Sequence, residues 1–203
     1  CWMILNQTNI DKFFADRERH IRWLGNAIKK FNYTALEQMD KILIPDFAPP
    51  FTICEKNLEL TQKIYDKTEY IGPLIRKNSE EVSRAKKPKI DVYCSIGGFG
   101  YREQILDKIV DVAKGMKEKE FHLVAGPNAK KESKIKNVKF YQAVKNPLDM
   151  MANASVVIAG GGHSTIMESI CLGKPIISVP DQIHFEQEQN ATKVEALGIG
   201  SKI

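Results

Sequence analysis

Residues 160–168, Gly160-Gly161-Gly162-His163-Ser164-Thr165-Ile166-Met167-Glu168, join three glycines, two hydroxyls, an imidazole and a carboxylate where an apolar run gives way to a helical pattern. Glycines ahead of a helix leave unpaired amides and the positive end of the helix dipole facing one open space, which suits a diphosphate. Ser164 and Thr165 add hydroxyl donors, and His163 adds a donor whose charge switches near neutral pH. The same residues also fit a capping box, with Thr165 as N-cap and Glu168 reaching back from three positions later. A cap accounts for neither the glycine triplet nor the histidine.

Two other loops carry polar or glycine-rich chemistry. Gly97-Gly98-Phe99-Gly100 could bring backbone amides onto a phosphate, although a tight strand-to-helix turn needs the same residues. It is not the dinucleotide fingerprint: Glu103 stands where G-x-G-x-x-G requires its third glycine, and the run 121–125 ends without the acidic residue that holds an adenosine ribose. A nicotinamide enzyme is therefore disfavoured. In residues 180–191, Asp181, Glu186, Gln187, Glu188, Gln189 and Asn190 crowd the start of a helix. A carboxylate beside an amide can hold neighbouring sugar hydroxyls, while residues 186–189 taken alone fit a solvated helix face better.

The elements that must position these loops alternate in type. Residues 90–96, 121–125, 138–141, 156–159 and 176–179 read as short strands. Helical spacing recurs at Ile105, Ile109, Val112 and Met116, then over 148–152, 163–172 (ended by Gly173) and 185–197 (ended by Gly198). Strands separated by helices call for right-handed crossovers and a parallel sheet, which binds ligands beyond the carboxyl ends of its strands. The loops after Ser95, Ala159 and Val179 lie there. Ahead of this pattern, residues 2–6, 41–45 and 69–71 read as strands and 12–39 as an amphipathic helical region, together too few for an independent core. They predict the end of a larger α/β unit at 1–73, followed by a polar, basic linker at 74–90 and the main unit at 91–203.

The chain has 203 residues, 43% apolar and 27% charged, with 30 Lys+Arg against 25 Asp+Glu, which excludes disordered, collagenous and coiled-coil classes. Cys1, Cys54, Cys94 and Cys171 form no CxxC pair and no dense disulfide framework, so a reducing, cytoplasmic setting is expected. The longest uncharged run, 150–167, is broken by Asn153, the glycine triplet and His163, so no membrane span is expected. Neither is a signal peptide, and the start at Cys1 suggests a fragment. Cys94, Cys171, Met150 and Met167 are most simply core residues, and Trp2 and Trp23 carry no functional case.

The ordered set Ser95-Ile96-Gly97-Gly98, then Gly161-Gly162 with Thr165 and Glu168, then Gly173, Pro175 and Pro180, then Glu186-Gln187 with Asn190-Ala191, resembles the donor-binding half of GT-B glycosyltransferases. It is most similar to the family 28 type, which includes the N-acetylglucosaminyltransferase of peptidoglycan precursor synthesis and the diacylglycerol glucosyltransferases. The likeness runs over 91–203, while 1–73 matches loosely the end of the acceptor-side Rossmann-like domain. It implies an α/β fold of GT-B type, a UDP-sugar donor such as UDP-N-acetylglucosamine, and an inverting displacement that needs no metal and no cofactor. The absence of any Asp-x-Asp pair agrees with that.

By the same resemblance, Glu168 binds the ribose hydroxyls, and Gly161, Gly162, His163, Ser164 and Thr165 surround the diphosphate with Gly97 and Gly98 opposite. Glu186 and Gln187 read the sugar, Asn190 completes that motif, and Val144, Lys145 and Asn146 lie along the uracil. The general base is expected in early loops of the first domain, outside this chain, and the acceptor is left open between lipid, glycan and small molecule. Peripheral membrane association is an implied possibility, and no nucleic-acid partner is expected.

Other readings stand beside this one. A non-catalytic donor-binding subunit would need a partner to supply the acceptor site. A UDP-sugar epimerase or hydrolase on a related fold is disfavoured by the Glu186-Gln187 motif. A nucleic-acid binder would rest on Lys130, Lys131, Lys134, Lys136 and Lys139, with Arg84, Lys86, Lys87 and Lys89, residues that fit solvated loops better.

Overall fold

The computed structural model describes residues 1–9, 11–12, 19–76, 82, 89–96, 103–126, 135–181 and 184–203, with residues 19 and 20 described by backbone only. Two parallel sheets result. The smaller contains β1 (Trp2–Ile4), β2 (Lys41–Ile44) and β3 (Thr68–Tyr70) in that order. Helix α1 (Arg19–Glu37) connects β1 to β2, and a one-turn helix α2 (Gln62–Tyr65) precedes β3. Leu36, Ile42 and Ile64 make its buried centre.

In the larger sheet β4 (Ile90–Ser95) is followed by α3 (Glu103–Gly115), β5 (Phe121–Val124), β6 (Val138–Tyr141) and α4 (Pro147–Ala152). The chain then forms β7 (Ala154–Ala159), α5 (His163–Cys171), β8 (Ile176–Ser178), α6 (Phe185–Ala196) and β9 (Gly200–Lys202). The spatial order is β6-β5-β4-β7-β8-β9, all parallel. The sheet therefore grows outward in one direction from β4 and in the other from β7. Sheets of this kind take ligands beyond the carboxyl ends of the strands at which the order reverses, here β4 and β7.

Strand alternation sends successive side chains to opposite faces. Cys94, paired in register with Leu123 on one side and Ile158 on the other, packs with Val92, Ile96, Leu106, Ile109 and Ala113 under α3. Tyr93 and Val157 point the other way, into a cluster with Leu148, Met151, Ala152 and Leu172. A third cluster joins Ile166, Met167, Ile176 and Val194 to Ile53, which belongs to the loop after β2. The two sheets thus share apolar packing at α5 and α6.

Most expected elements lie within a residue or two of their expected bounds, and α5 ends at Cys171, one residue short of expectation. Gly173 and Gly198 take φ of +66° and +67° just past α5 and α6, the left-handed turn that ends a helix. Two elements were not anticipated. β9 is a three-residue edge strand of sequence Gly-Ser-Lys with no apolar alternation, and α2 is a single turn. Cys94 and Met167 are core residues as expected, and Trp2 and Trp23 are exposed. Among the described residues no helix is long and apolar enough to cross a membrane.

Candidate functional site

A cavity of about 600 Å³ opens at the carboxyl ends of β4 and β5, beside the start of α5, the helix that follows β7. Its floor is Tyr93 and Ser95 of β4, and one wall is Gln142, Ala143 and Val144, just after β6. The opposite wall is the first turns of α5, with Ser164, Thr165 and Glu168, and Leu74 and Arg76 form the rim. The volume falls within the range of small-molecule and cofactor sites. Tyr93 is buried, and that burial pushes its phenol up to about 12, so it stays a neutral hydrogen-bonding group at neutral pH.

The capping-box reading is overturned. Helix α5 begins at His163 with Gly162 as N-cap and no side-chain cap bond, so Thr165 lies inside the helix. Glu168 does not reach back either. Its side chain is 3% exposed and takes both arms of Arg76, Nε to Oε1 at 2.6 Å and a terminal guanidinium nitrogen to Oε2 at 2.8 Å. Glu168 therefore meets the cavity as a carboxylate held by one planar cation. Arg76 was legible only as part of a basic linker; nothing in its spacing points to a partner 92 positions away.

The glycine turn is held against α6. Gly161 has φ +80°, and a Cβ there would stand 2.7 Å from the Gln187 carbonyl oxygen, so only glycine fits. Gly162 is different: a Cβ would meet nothing within 4 Å. Asn190, fully buried, donates to the Gly161 carbonyl at 3.1 Å and accepts from Asn57 at 2.8 Å. Its polar groups are engaged within the protein, so its observed task is to hold the turn. Gln187 accepts from the Asp181 amide at 3.2 Å, and Glu186 is half-buried.

The structure thus gathers Val144, Ser164, Thr165 and Glu168 around one cavity and sets Gly161 against Gln187. Lys145 and Asn146 are exposed and do not line the cavity; Asn146 is the N-cap of α4 ahead of Pro147. Gly97 and Gly98 lie outside the described residues, although Ser95, two positions before, lines the cavity. Of the proposed basic patch, Lys130, Lys131, Lys134, Arg84, Lys86 and Lys87 also lie outside them, while Lys139 faces Glu120 at 3.4 Å.

Sequence reasoning also missed Asp46, wholly buried just after β2. It accepts from the Phe47 amide at 2.7 Å, the Cys54 amide at 2.8 Å and His163 Nε2 at 3.1 Å. Burial alone would push its carboxyl up, but the bonds from His163 and the neighbouring backbone outweigh it and hold the group below its ordinary range. Donor atoms of Asp46, Cys54 and His163 lie within 4.8 Å of one another. The carboxylate is satisfied by those three donors, and burial, with Asp46 alongside, pushes the Cys54 thiol far up.

Residues 96–203 match the model of the glycosyltransferase family 28 C-terminal domain. An uncharacterized glycosyltransferase of Methanosarcina mazei is 40% identical over 202 residues, covering 98% of this chain and 53% of that protein. A UDP-N-acetylglucosamine--N-acetylmuramyl-(pentapeptide) pyrophosphoryl-undecaprenol N-acetylglucosamine transferase of Sulfurihydrogenibium sp. is 33% identical over 129 residues, covering 60% of this chain and 37% of that protein. Among solved structures, Os79 from O. sativa in complex with UDP and deoxynivalenol-3-glucoside superposes with a TM-score of 0.66 at 20% identity, over 97% of this chain and 48% of that one. The glycotransferase of kitacinnamycin gives 0.65 at 19%, over 96% and 51%. The chain spans about half the length of the curated relatives it matches, 53% for the Methanosarcina protein.

Proposed function

The chain belongs to the glycosyltransferases that carry a family 28 C-terminal domain, with a fold of GT-B type, and on that premise we propose that it binds a UDP-sugar for transfer to a hydroxyl acceptor. One observation carries the proposal: the buried Glu168 carboxylate, the start of α5 and the segment ending at Val144 line a single cavity. A nucleoside diphosphate has three parts that need three kinds of surface at such distances. Glu168 accepts the ribose hydroxyls, since a carboxylate offers lone pairs to both. The unpaired amides of residues 161–165, with the Ser164 and Thr165 hydroxyls and His163, receive the diphosphate at the positive end of α5. The base lies along residues 142–144.

Gln187 and Glu186 then face the donor sugar from the start of α6, which the Gly161 contact keeps against the diphosphate turn. In the reaction the acceptor oxygen bonds to the anomeric carbon as the bond to UDP breaks, inverting that centre. UDP leaves with the electron pair, and the acceptor proton passes to a base. Preorganised amides and the helix dipole offset the leaving charge, a term that removal of single donors shows to be worth about 3 kcal/mol in enzymes of other classes. The transferred group is a hexosyl or N-acetylhexosaminyl unit. In this reading 91–203 is the donor domain, 74–90 the linker and 1–73 the end of the acceptor-side domain.

Calorimetric titration with a panel of nucleotide sugars tests the proposal. The chain is expected to bind UDP-sugars in preference to GDP- or TDP-sugars. Glu168→Gln is expected to weaken UDP at least tenfold, which is about 1.4 kcal/mol. Equal affinity of the variant, or no preference for uracil, overturns the assignment.

A further inference from the structure

Asp46, in the loop after β2, and His163, at the start of α5, are 117 positions apart and both buried, yet their side chains meet at 3.1 Å. Asp46 does not wander in this position. Its Oδ1 is fixed by the Phe47 amide and its Oδ2 by the Cys54 amide, so the loop after β2 clamps the carboxylate before the imidazole is added. His163 is the first residue of α5, directly after the glycine turn. Asn190 and Asn57 add a second buried tie between the same turn and the same half of the chain.

We propose that Asp46 is a positioning residue for the donor's diphosphate, acting through His163; this rests on the donor reading above. A carboxylate on Nε2 fixes both the ring's orientation and its protonation pattern, because the bond made by one imidazole nitrogen decides what the other does. With Nε2–H given to Asp46, Nδ1 is the remaining polar atom of the ring. Contact with a diphosphate oxygen at the head of α5 requires a proton on Nδ1 as well, so that one N–H is directed to Asp46 and the other to the phosphate. The half of the chain carrying β1 to β3 thus orients, through Asp46, the ring that meets the phosphate at the head of α5.

The test measures affinities for UDP and for uridine, which has the base and ribose but no phosphate, in wild type, Asp46→Asn, His163→Phe and the double variant. Asp46→Asn is expected to weaken UDP about tenfold, the scale of one charge-assisted bond. His163→Phe is expected to do the same or more, the double variant no worse than His163→Phe alone, and uridine to bind all four within about twofold. Equal losses for uridine and UDP would mean a purely structural role and overturn the proposal. So would UDP affinity unchanged in Asp46→Asn, or losses that add in full. If Asp46→Asn does not fold, Asp46→Glu carries the test: it keeps the charge, displaces the oxygens and is expected to lose UDP selectively. Wild type that binds no UDP at all would remove the donor reading and this inference together; wild type that binds UDP with indifferent variants removes this inference alone.

Discussion

Glu168 and Arg76 set the chemistry of the cavity in the form seen here. The guanidinium covers both carboxylate oxygens, and Glu168 is almost fully enclosed, so a ribose that reaches it must displace part of Arg76. Arg76, with its side chain 62% exposed, has solvent to turn into; Glu168 does not. Arg76→Ala is therefore expected to cost about 1.5 kcal/mol, the lower end for a charged hydrogen bond because Arg76 is largely solvated. That corresponds to roughly 3–6 °C in Tm for a chain of this size. The same variant is expected to bind uridine more tightly, since the competing partner is gone. A thermal melt and a uridine titration check it, and weaker uridine binding would count against Glu168 as the ribose contact. Glu168 was legible as a cavity residue because it sits a fixed distance from a glycine triplet at a helix start. Its partner, and the Asp46–His163 pair, were not, because contacts between residues far apart in the chain leave no local periodicity.

At the scale of elements, the loop between β7 and α5 is shaped by what stands behind it. Gly161 is left-handed and lies so close to the Gln187 carbonyl that a Cβ would collide with it, which brings the glycine turn and the start of α6 together. Gly161→Ala forces both a strained backbone and a close contact. It is expected to cost about 1–3 kcal/mol and to weaken UDP more than uridine, because it moves the amides at the head of α5. Gly162→Ala, at φ −67° with open space beyond, is expected to leave Tm nearly unchanged. Melts of the two variants side by side check the contrast; equal Tm values would mean that the turn is not fixed by α6. The alternation of strands and helices was readable from periodicity, and the glycines past α5 and α6 marked their ends. The edge strand β9 was not, because three polar or small residues carry no strand pattern, and the order of the strands in the sheet is a tertiary outcome that no local pattern encodes. Asn190 shows a further limit: a buried strut and an exposed polar contact look identical within a helix sequence.

Across the whole molecule, the ties seen among the described residues between the two halves include Asp46 to His163, Asn57 to Asn190, Arg76 to Glu168, Glu55 to Lys193, and Ile53 within the cluster of α5 and α6. The first three end on the first turns of α5 or on the Asn190 that holds the glycine turn. Several of the ties between the halves thus lie at the site proposed for the donor, which links the occupancy of that site to the relation between the halves. The crystal structure of the chain grown with saturating UDP tests the central claim most directly. The expected result is a uracil along residues 142–144, ribose hydroxyls at about 2.7–3.0 Å from the Glu168 carboxylate with Arg76 displaced, and the diphosphate at the head of α5. UDP bound elsewhere, or a cavity that stays empty with the Arg76–Glu168 pair intact, would contradict the account.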